Sequence, residues 1–424
     1  MMRALLVGYV WPEPNSSAAG ARIAQLLASL NSAGYEVHFA CAAALSEHQL
    51  DLQSVNVHAH QVALNCSSFD QFVAELNPAV VIFDRFVTEE QFGWRVTSAC
   101  PDALRVLDTE DLHSLRAARE ALLKDALKVN ASAGPVLADD AELYRAMRAS
   151  DMILREVAAI FRCDLTLMIS DKEIALLTQY FSVPPSLLYH LPFMVEPGQR
   201  PVPAFARREH FVTIGNFRHA PNWDAVLWLK QTIWPQLRKQ APEAELHIYG
   251  SYPPKKATQL SNPKERFLVK GWADDAQQVI SDARVLLAPL RFGAGIKGKL
   301  MDAMLSGTPS VATSIASEAM AGSNPWPGVI ADSVDEFVAG AVQLYRDGTR
   351  WQLAAQHCDN LLRARYLAEH LCPAWLAHLN ELRQNLAQHR QDNFLGAMFQ
   401  YHAARSTEFM SRWIEAKSRN QTSD

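Results

Sequence analysis

Leu286-Leu287-Ala288-Pro289-Leu290-Arg291-Phe292-Gly293-Ala294-Gly295-Ile296-Lys297-Gly298-Lys299 runs directly into Leu300-Met301-Asp302-Ala303-Met304-Leu305-Ser306-Gly307-Thr308-Pro309. A buried apolar strand enters a loop of three glycines and two lysines. A helix follows, a glycine stops it, and a new strand begins. Gly293, Gly295 and Gly298 permit close backbone approach and positive φ. Such a loop offers bare N–H groups, a helix N-terminus and two ammonium groups to one anion, and a diphosphate is the natural occupant. A helix starting near Ile296 puts Lys299 and Asp302 on one face at i,i+3. Lys299 then neutralises a phosphate while Asp302 accepts hydroxyl hydrogen bonds from a ribose or sugar. The plainer reading is a mobile loop with solvated lysines and an i,i+3 ion pair. The density of glycine and lysine between strand and helix favours the anion.

Working outward, the same strand–helix alternation fills the chain. Before the loop come strand Phe211–Ile214, helix Trp223–Gln240, strands Glu245–Gly250 and Phe267–Lys270, helix Asp274–Asp282 and strand Val285–Pro289. After it come strand Pro309–Thr313 and helices Asp335–Arg346 and Thr349–Ala368. The first half repeats the pattern: strand Ala4–Val10, helix Ala18–Ser32 stopped by Gly34, strand Val37–Ala42, helix Phe69–Leu76 and strand Ala79–Asp84. Helix Glu89–Cys100, strand Leu104–Asp108, a long charged helical stretch over Ser114–Arg162 and strand Leu165–Ile169 complete it. Strands separated by helices pair in parallel through right-handed crossovers. Glu196–Arg208 holds three prolines and reads as a connector. Beyond Pro373, Ala374–Arg390 and Asn393–Lys417 read as amphipathic helices, better suited to packing on a neighbouring domain than to a membrane or partner.

The predicted organisation is an α/β first domain over 1–200, a second over 205–370, and closing helices over 371–424 that return to the first. Two doubly wound units joined by a linker enclose a cleft, with ligands outside the carboxyl ends of the strands.

Composition narrows the function. The chain has 424 residues, 49% hydrophobic and 20% charged, with a net charge of -5, so no global basic field calls for nucleic acid. Cys41, Cys66, Cys100, Cys163, Cys358 and Cys372 form no C-x-x-C pair and no zinc spacing, and read as buried thiols of a reducing compartment. The opening residues read as a first strand rather than a signal peptide. No window approaches 18 uninterrupted apolar residues. A cytoplasmic protein is expected, with peripheral contact at a membrane left open.

Three other loops follow predicted strands. Trp11-Pro12-Glu13-Pro14-Asn15-Ser16-Ser17-Ala18-Ala19-Gly20-Ala21-Arg22 is rich in small residues and opens a helix. Ser17, Ala18 and Gly20 are candidates to approach the same phosphate from across the cleft, with Arg22 assisting; the alternative is a plain loop with Ser16 or Ser17 as N-cap. Leu107-Asp108-Thr109-Glu110-Asp111-Leu112-His113-Ser114-Leu115-Arg116 gathers three acids and a histidine. Asp108, Asp111 and His113 are candidates to bind hydroxyls or take a proton, against helix capping and pairing with Arg116. Asp84-Arg85 is a similar strand end. His58-x-His60 alternates on a strand and reads as solvated rather than metallic. No P-loop, G-x-G-x-x-G or G-x-S-x-G is present, and Asp108-Thr109-Glu110 is only a partial D-x-D.

Gly293–Thr313 resembles the corresponding segment of retaining, GT-B-fold glycosyltransferases of family 4, also called glycosyl transferases group 1. Ile214-Gly215-Asn216-Phe217 with His219-Ala220-Pro221-Asn222 is similar to the first strand and loop of that family's donor domain. Ile248-Tyr249-Gly250 and Val269-Lys270-Gly271-Trp272 are similar to its next two strand ends. The resemblance implies a metal-independent hexosyltransferase in bacterial-type polysaccharide or glycan synthesis, with a nucleotide diphosphate sugar as donor and no further cofactor. It implies a glycan, lipid-linked or protein acceptor held by the first domain. Gly215 and Asn216 would lie against the donor diphosphate, with Arg218 the nearest basic residue. Gly250, Gly271 and Trp272 would border base and ribose, and Gly293, Gly295, Ile296, Lys297 and Gly298 would cradle the phosphates beside Lys299 and Asp302. The family usually carries two glutamates with seven residues between them, where Ala294 and Asp302 stand here. That departure keeps two rivals open: a non-catalytic GT-B scaffold that binds nucleotide sugar or glycan, and a nucleotide-sugar epimerase.

Overall fold

The protein is described here by a computed structural model covering residues 2–198 and 201–421, the side chains of 402–405, 420 and 421 excepted. Two parallel sheets organise it. The first comprises β1 (Arg3–Gly8), β2 (Glu36–Cys41), β3 (Val57–Gln61), β4 (Val80–Asp84), β5 (Leu104–Asp108), β6 (Leu165–Met168) and β7 (Leu188–His190), in the order β3-β2-β1-β4-β5-β6-β7. The second comprises β8 (Phe211–Ile214), β9 (Leu246–Tyr249), β10 (Phe267–Gly271), β11 (Val285–Ala288), β12 (Ser310–Ala312) and β13 (Gly328–Ile330), in the order β10-β9-β8-β11-β12-β13. Both are doubly wound, with the order reversing beside β1 and beside β8. Crevices at such switch points, outside the carboxyl ends of the strands, are where ligands bind.

Central strands are apolar because helices cover both faces. β4 and β5 are buried at every position. The edge strands β7 and β13 have three residues each. They carry too little pattern to announce themselves, and neither was foreseen. Leu26 and Leu30 of the helix Ala18–Ser32 pack under one face of the first sheet. Ser17 caps that helix, its Oγ accepting from the Gly20 N–H at 3.0 Å.

Two expected boundaries shift. The glycine-loop helix begins at Gly298 rather than near Ile296, with Lys297 as N-cap and no side chain capping it. Pro373 lies inside the helix Ala368–Gln384 instead of preceding it. Its missing N–H orphans only the Glu369 carbonyl, which sits on an exposed turn.

The chain crosses between lobes twice, side by side. The Val195 N–H donates to Tyr366 O at 2.8 Å and the Ala368 N–H to Val195 O at 2.9 Å. The helix Ala368–Gln384 then packs on the first lobe, burying Trp375 and Leu379 beside Leu26 and Leu30. The last helix, Phe394–Gln421, lies across Arg85–Ala99 and Asp151–Arg162, anchored by Arg95 Nη2 on Ser411 Oγ at 2.8 Å. Among the described residues no helix is long and apolar enough to cross a membrane.

Candidate functional site at the glycine loop

The loop after β11 faces the carboxyl ends of the first sheet and touches them. Gly295 has φ +62, and a Cβ there would lie 2.8 Å from the Asp111 Cβ. A Cβ at Gly298 would lie 2.7 Å from the Ala18 Cβ. Both glycines therefore serve close approach between lobes. The Gly295 N–H donates to Glu173 Oε1 at 2.7 Å. Arg119 of the first lobe donates to Gly293 O at 2.9 Å and pairs with Glu318 at 2.6 Å. Ile296 is buried in an apolar cluster that includes Ile169 of the first lobe. Ala294 packs into the first lobe's own core.

The two loop lysines flank Gly298, which makes this contact. Lys297 is 7% exposed, and its Nζ donates to Gly295 O at 2.7 Å. Burial, followed by the Glu318 and Arg119 charges, leaves its pKa lowered to about 8. Lys299 Nζ donates to Asn222 Oδ1 at 2.8 Å, and burial alone lowers it to about 7. Asp302, three residues on, is pushed up to about 7 by burial. Among the described residues no ion pair joins Lys299 to Asp302, so these three groups are crowded by protein and unneutralised by each other.

The other second-lobe candidates line the same edge. The Gly215 N–H donates to Tyr249 O at 3.1 Å, and the Gly250 N–H to Gly271 O at 2.7 Å. Asn216 Nδ2 reaches Ser16 Oγ at 3.5 Å. Arg218 is exposed, its guanidinium 3.6 Å from the Tyr252 ring centroid. Trp272 stacks on His48 of the first lobe, with centroids 3.9 Å apart and planes 7° apart. Its indole N–H is held by Asp274 at 2.9 Å. That face is therefore taken, and Trp272 borders the crevice as part of the closure.

Two first-lobe candidates point elsewhere than expected. Arg22 donates to Asp108 Oδ1 at 2.9 Å and to Leu191 O at 2.7 Å, inside its own lobe. Arg22 and Asp108 each have side chains 1% exposed. Arg22 therefore braces Asp108 within the first lobe. Gly20 lies against the Glu13 backbone, and Ala18 meets Gly298. Asp111 pairs with Arg116 and lies 3.4 Å from His113, which burial lowers to about 4.

Glu173 and Glu156 escaped the sequence reading, while Arg85 and Glu110 were met there only as members of strand-end segments. Glu173 is fully buried and pushed up to about 8 by burial and then by Asp111. It reads in sequence as the third position of a capping box after Ser170, which hides any other role. Glu156, pushed up to about 7 by burial, accepts the His113 N–H at 2.6 Å and the Ser114 N–H at 3.1 Å. Glu110 stands at φ +63 and Arg85 at φ +70, both at strand ends facing the crevice. Side chains with a Cβ rarely adopt that region, and such strain gathers at functional sites. Burial and then Asp108 and Asp84 hold the Glu110 carboxyl well above the usual range.

The crevice is shut. Ser16 Oγ donates to Ser251 Oγ at 2.9 Å and Tyr252 OH to Glu13 Oε1 at 2.8 Å, both across the lobes. Within the second lobe, the space bounded by Thr213, Gly215, Asn222, Tyr249 and Lys299 has a volume of about 10 Å³. That is room for one water, against the hundreds of Å³ of a small-molecule site.

Comparison with known proteins now has its geometry. The family described as Glycosyl transferases group 1 matches residues 208–347, the bulk of the second lobe and about a third of the chain. No curated protein matches the sequence. Among solved structures, a glycosyltransferase from Rickettsia africae superposes with TM-score 0.64 at 8% identity, covering 91% of this chain and 99% of that one. HepE of Anabaena, in complex with UDP-glucose, gives TM-score 0.63 at 12% identity, covering 90% and 100%. The sucrose-phosphate synthase of Thermosynechococcus elongatus gives 0.62 at 14%, covering 91% and 100%. At these identities the likeness is one of fold: the chain has the two-lobed GT-B architecture.

Proposed function

We propose that the protein is a glycosyltransferase that moves a sugar from a nucleotide diphosphate sugar to a hydroxyl acceptor, with no metal required. One observation supports the reading: the uncapped start of helix Gly298–Leu305, with Lys297 and Lys299 beside it, meets Ala18 of the first lobe. The matched group and the fold of the solved neighbours support it, and HepE's printed ligand makes uridine diphosphate sugars the first donors to test.

Charge explains how these residues act. Departure of the diphosphate leaves negative charge on its oxygens and positive character on the sugar. Lysines lowered to about 7 and 8 lose part of their proton in the shut crevice and regain it against a dianion. Their charge is therefore best used when the leaving group carries most of its own. Asn216, Gly215 and Gly293 border the phosphates, and Asp302 accepts a sugar or ribose hydroxyl. Asp108 and Asp111 are engaged by arginines, whereas Glu110 keeps a buried oxygen without a hydrogen-bond partner among the described residues. Closure excludes water, which competes as acceptor. Retention of anomeric configuration, a role in polysaccharide or glycan synthesis and a cytoplasmic setting belong to the same proposal and rest on resemblance.

The test is product analysis by mass spectrometry with a panel of nucleotide diphosphate sugars. Transfer or donor hydrolysis supports the reading. A mass-neutral sugar conversion identifies an epimerase, and tight binding without turnover a scaffold.

A further inference from the structure

At the opposite edge of the first sheet lies a second cluster. Glu36 and His38 alternate on β2, and His58 and His60 on the neighbouring edge strand β3, with His38 paired to His58 and Ala40 to His60 in parallel register. All four side chains therefore share one face. They sit toward the start of β2, away from the carboxyl ends that form the crevice. His38 is 6% exposed, and its Nε2 is buried with no hydrogen-bond partner among the described residues. Glu36 Oε1 lies 3.4 Å from that nitrogen and 4.0 Å from His58 Nε2. The three donor atoms lie within 4.8 Å of one another.

We infer that Glu36, His38 and His58 form a binding site for a zinc-like divalent transition cation that ties β2 to the sheet edge. The surrounding groups are arranged as such a site requires. His38 Nδ1 and His60 Nε2 are 2.9 Å apart. With the proton on His38 Nδ1, that contact is a hydrogen bond to His60 and leaves Nε2 its lone pair; metal-ligating imidazoles are commonly oriented in this way. Arg3 Nε donates to Glu36 Oε2 at 3.2 Å, which turns Oε1 toward the two imidazoles. His58 is 61% exposed at its side chain, free to swing inward to the roughly 2.0–2.1 Å that a zinc–nitrogen bond requires. Two imidazoles and a carboxylate, with water completing the shell, suit zinc and its neighbours over magnesium or calcium.

The experiment is calorimetric titration of the metal-stripped full chain with zinc chloride, together with the absorption spectrum of the cobalt(II) form. One equivalent should bind, with a cobalt spectrum of nitrogen and oxygen ligation. His58→Ala, at an exposed position, and the near-isosteric Glu36→Gln should each weaken zinc by about tenfold or more. His378→Ala, at a histidine stacked on Tyr189 elsewhere on the lobe, should leave it unchanged. Absence of binding, equal affinity in His58→Ala and Glu36→Gln, or an intense thiolate band that places cobalt on a cysteine would each overturn the assignment.

Discussion

The Gly295 amide of the second lobe donates to the Glu173 carboxyl of the first at 2.7 Å, between residues 122 apart in sequence. An N–H suited to a donor oxygen is thus occupied by the protein's own acid while the lobes are shut.

Stability should carry the mark of that acid. Glu173, Glu156 and Asp302 have pKa values raised to about 8, 7 and 7. An acid raised on folding binds more protons folded than unfolded between its two pKa values, so stability falls as pH rises through that window. Lys299 and Lys297, lowered to about 7 and 8, act in the opposite sense and add stability from there toward the ordinary lysine range. These five groups together place a minimum near pH 7–8. The melting temperature should fall from pH 5 to 7.5, and Glu173→Gln should flatten the slope. An unchanged slope would refute the role of Glu173.

Lys299→Ala should lower kcat/KM for the donor by about 10²–10³-fold, the usual effect of removing one donor to a developing anion. Its melting temperature should hold or rise, because a buried amine with one amide partner is removed. Unimpaired turnover of a confirmed donor would end the site assignment.

Arg22 and Asp108 form a buried pair, so breaking one side strands a charge. Asp108→Asn should cost about 3–5 kcal/mol, whereas Arg22→Met with Asp108→Leu should lie close to wild type in stability. Thermal melts of the three proteins decide it. Equal losses in single and double variants would contradict the pairing.

Gly295→Ala meets two obstacles: φ +62 and a Cβ 2.8 Å from Asp111. The left-handed conformation alone costs about 1–2 kcal/mol. The clash exists only when the lobes touch. Small-angle scattering should show a larger radius of gyration for this variant, and donor turnover should fall. A radius equal to wild type would count against closure through this contact.

Much of this architecture was legible in the chain. Val285–Ala288, Phe211–Ile214 and Leu104–Asp108 are short apolar runs between turn residues, and each is a central strand. β7 and β13 escaped because three residues on a sheet edge hold no period. The glycine loop and its lysines were visible because the chemistry is written in neighbouring residues. Glu173 and Arg119 were not, since each reads as an ordinary helical charge. Their partners, Gly295 and Glu318, lie 122 and 199 positions away. Arg22 misled for the same reason: small residues around it suggested a phosphate, while its partner Asp108 stood 86 residues on.

The paired crossings at Val195 and Leu367 make the second lobe an insertion within the first. Trp375 and Leu379, which finish the first lobe's core, are synthesised only after the whole second lobe. A nascent first lobe therefore waits, with an apolar seam uncovered beside Leu26 and Leu30, until the last helices emerge. Fragments that end with the second sheet should behave as sticky, chaperone-dependent intermediates, and the two halves should not be separable by any single cut.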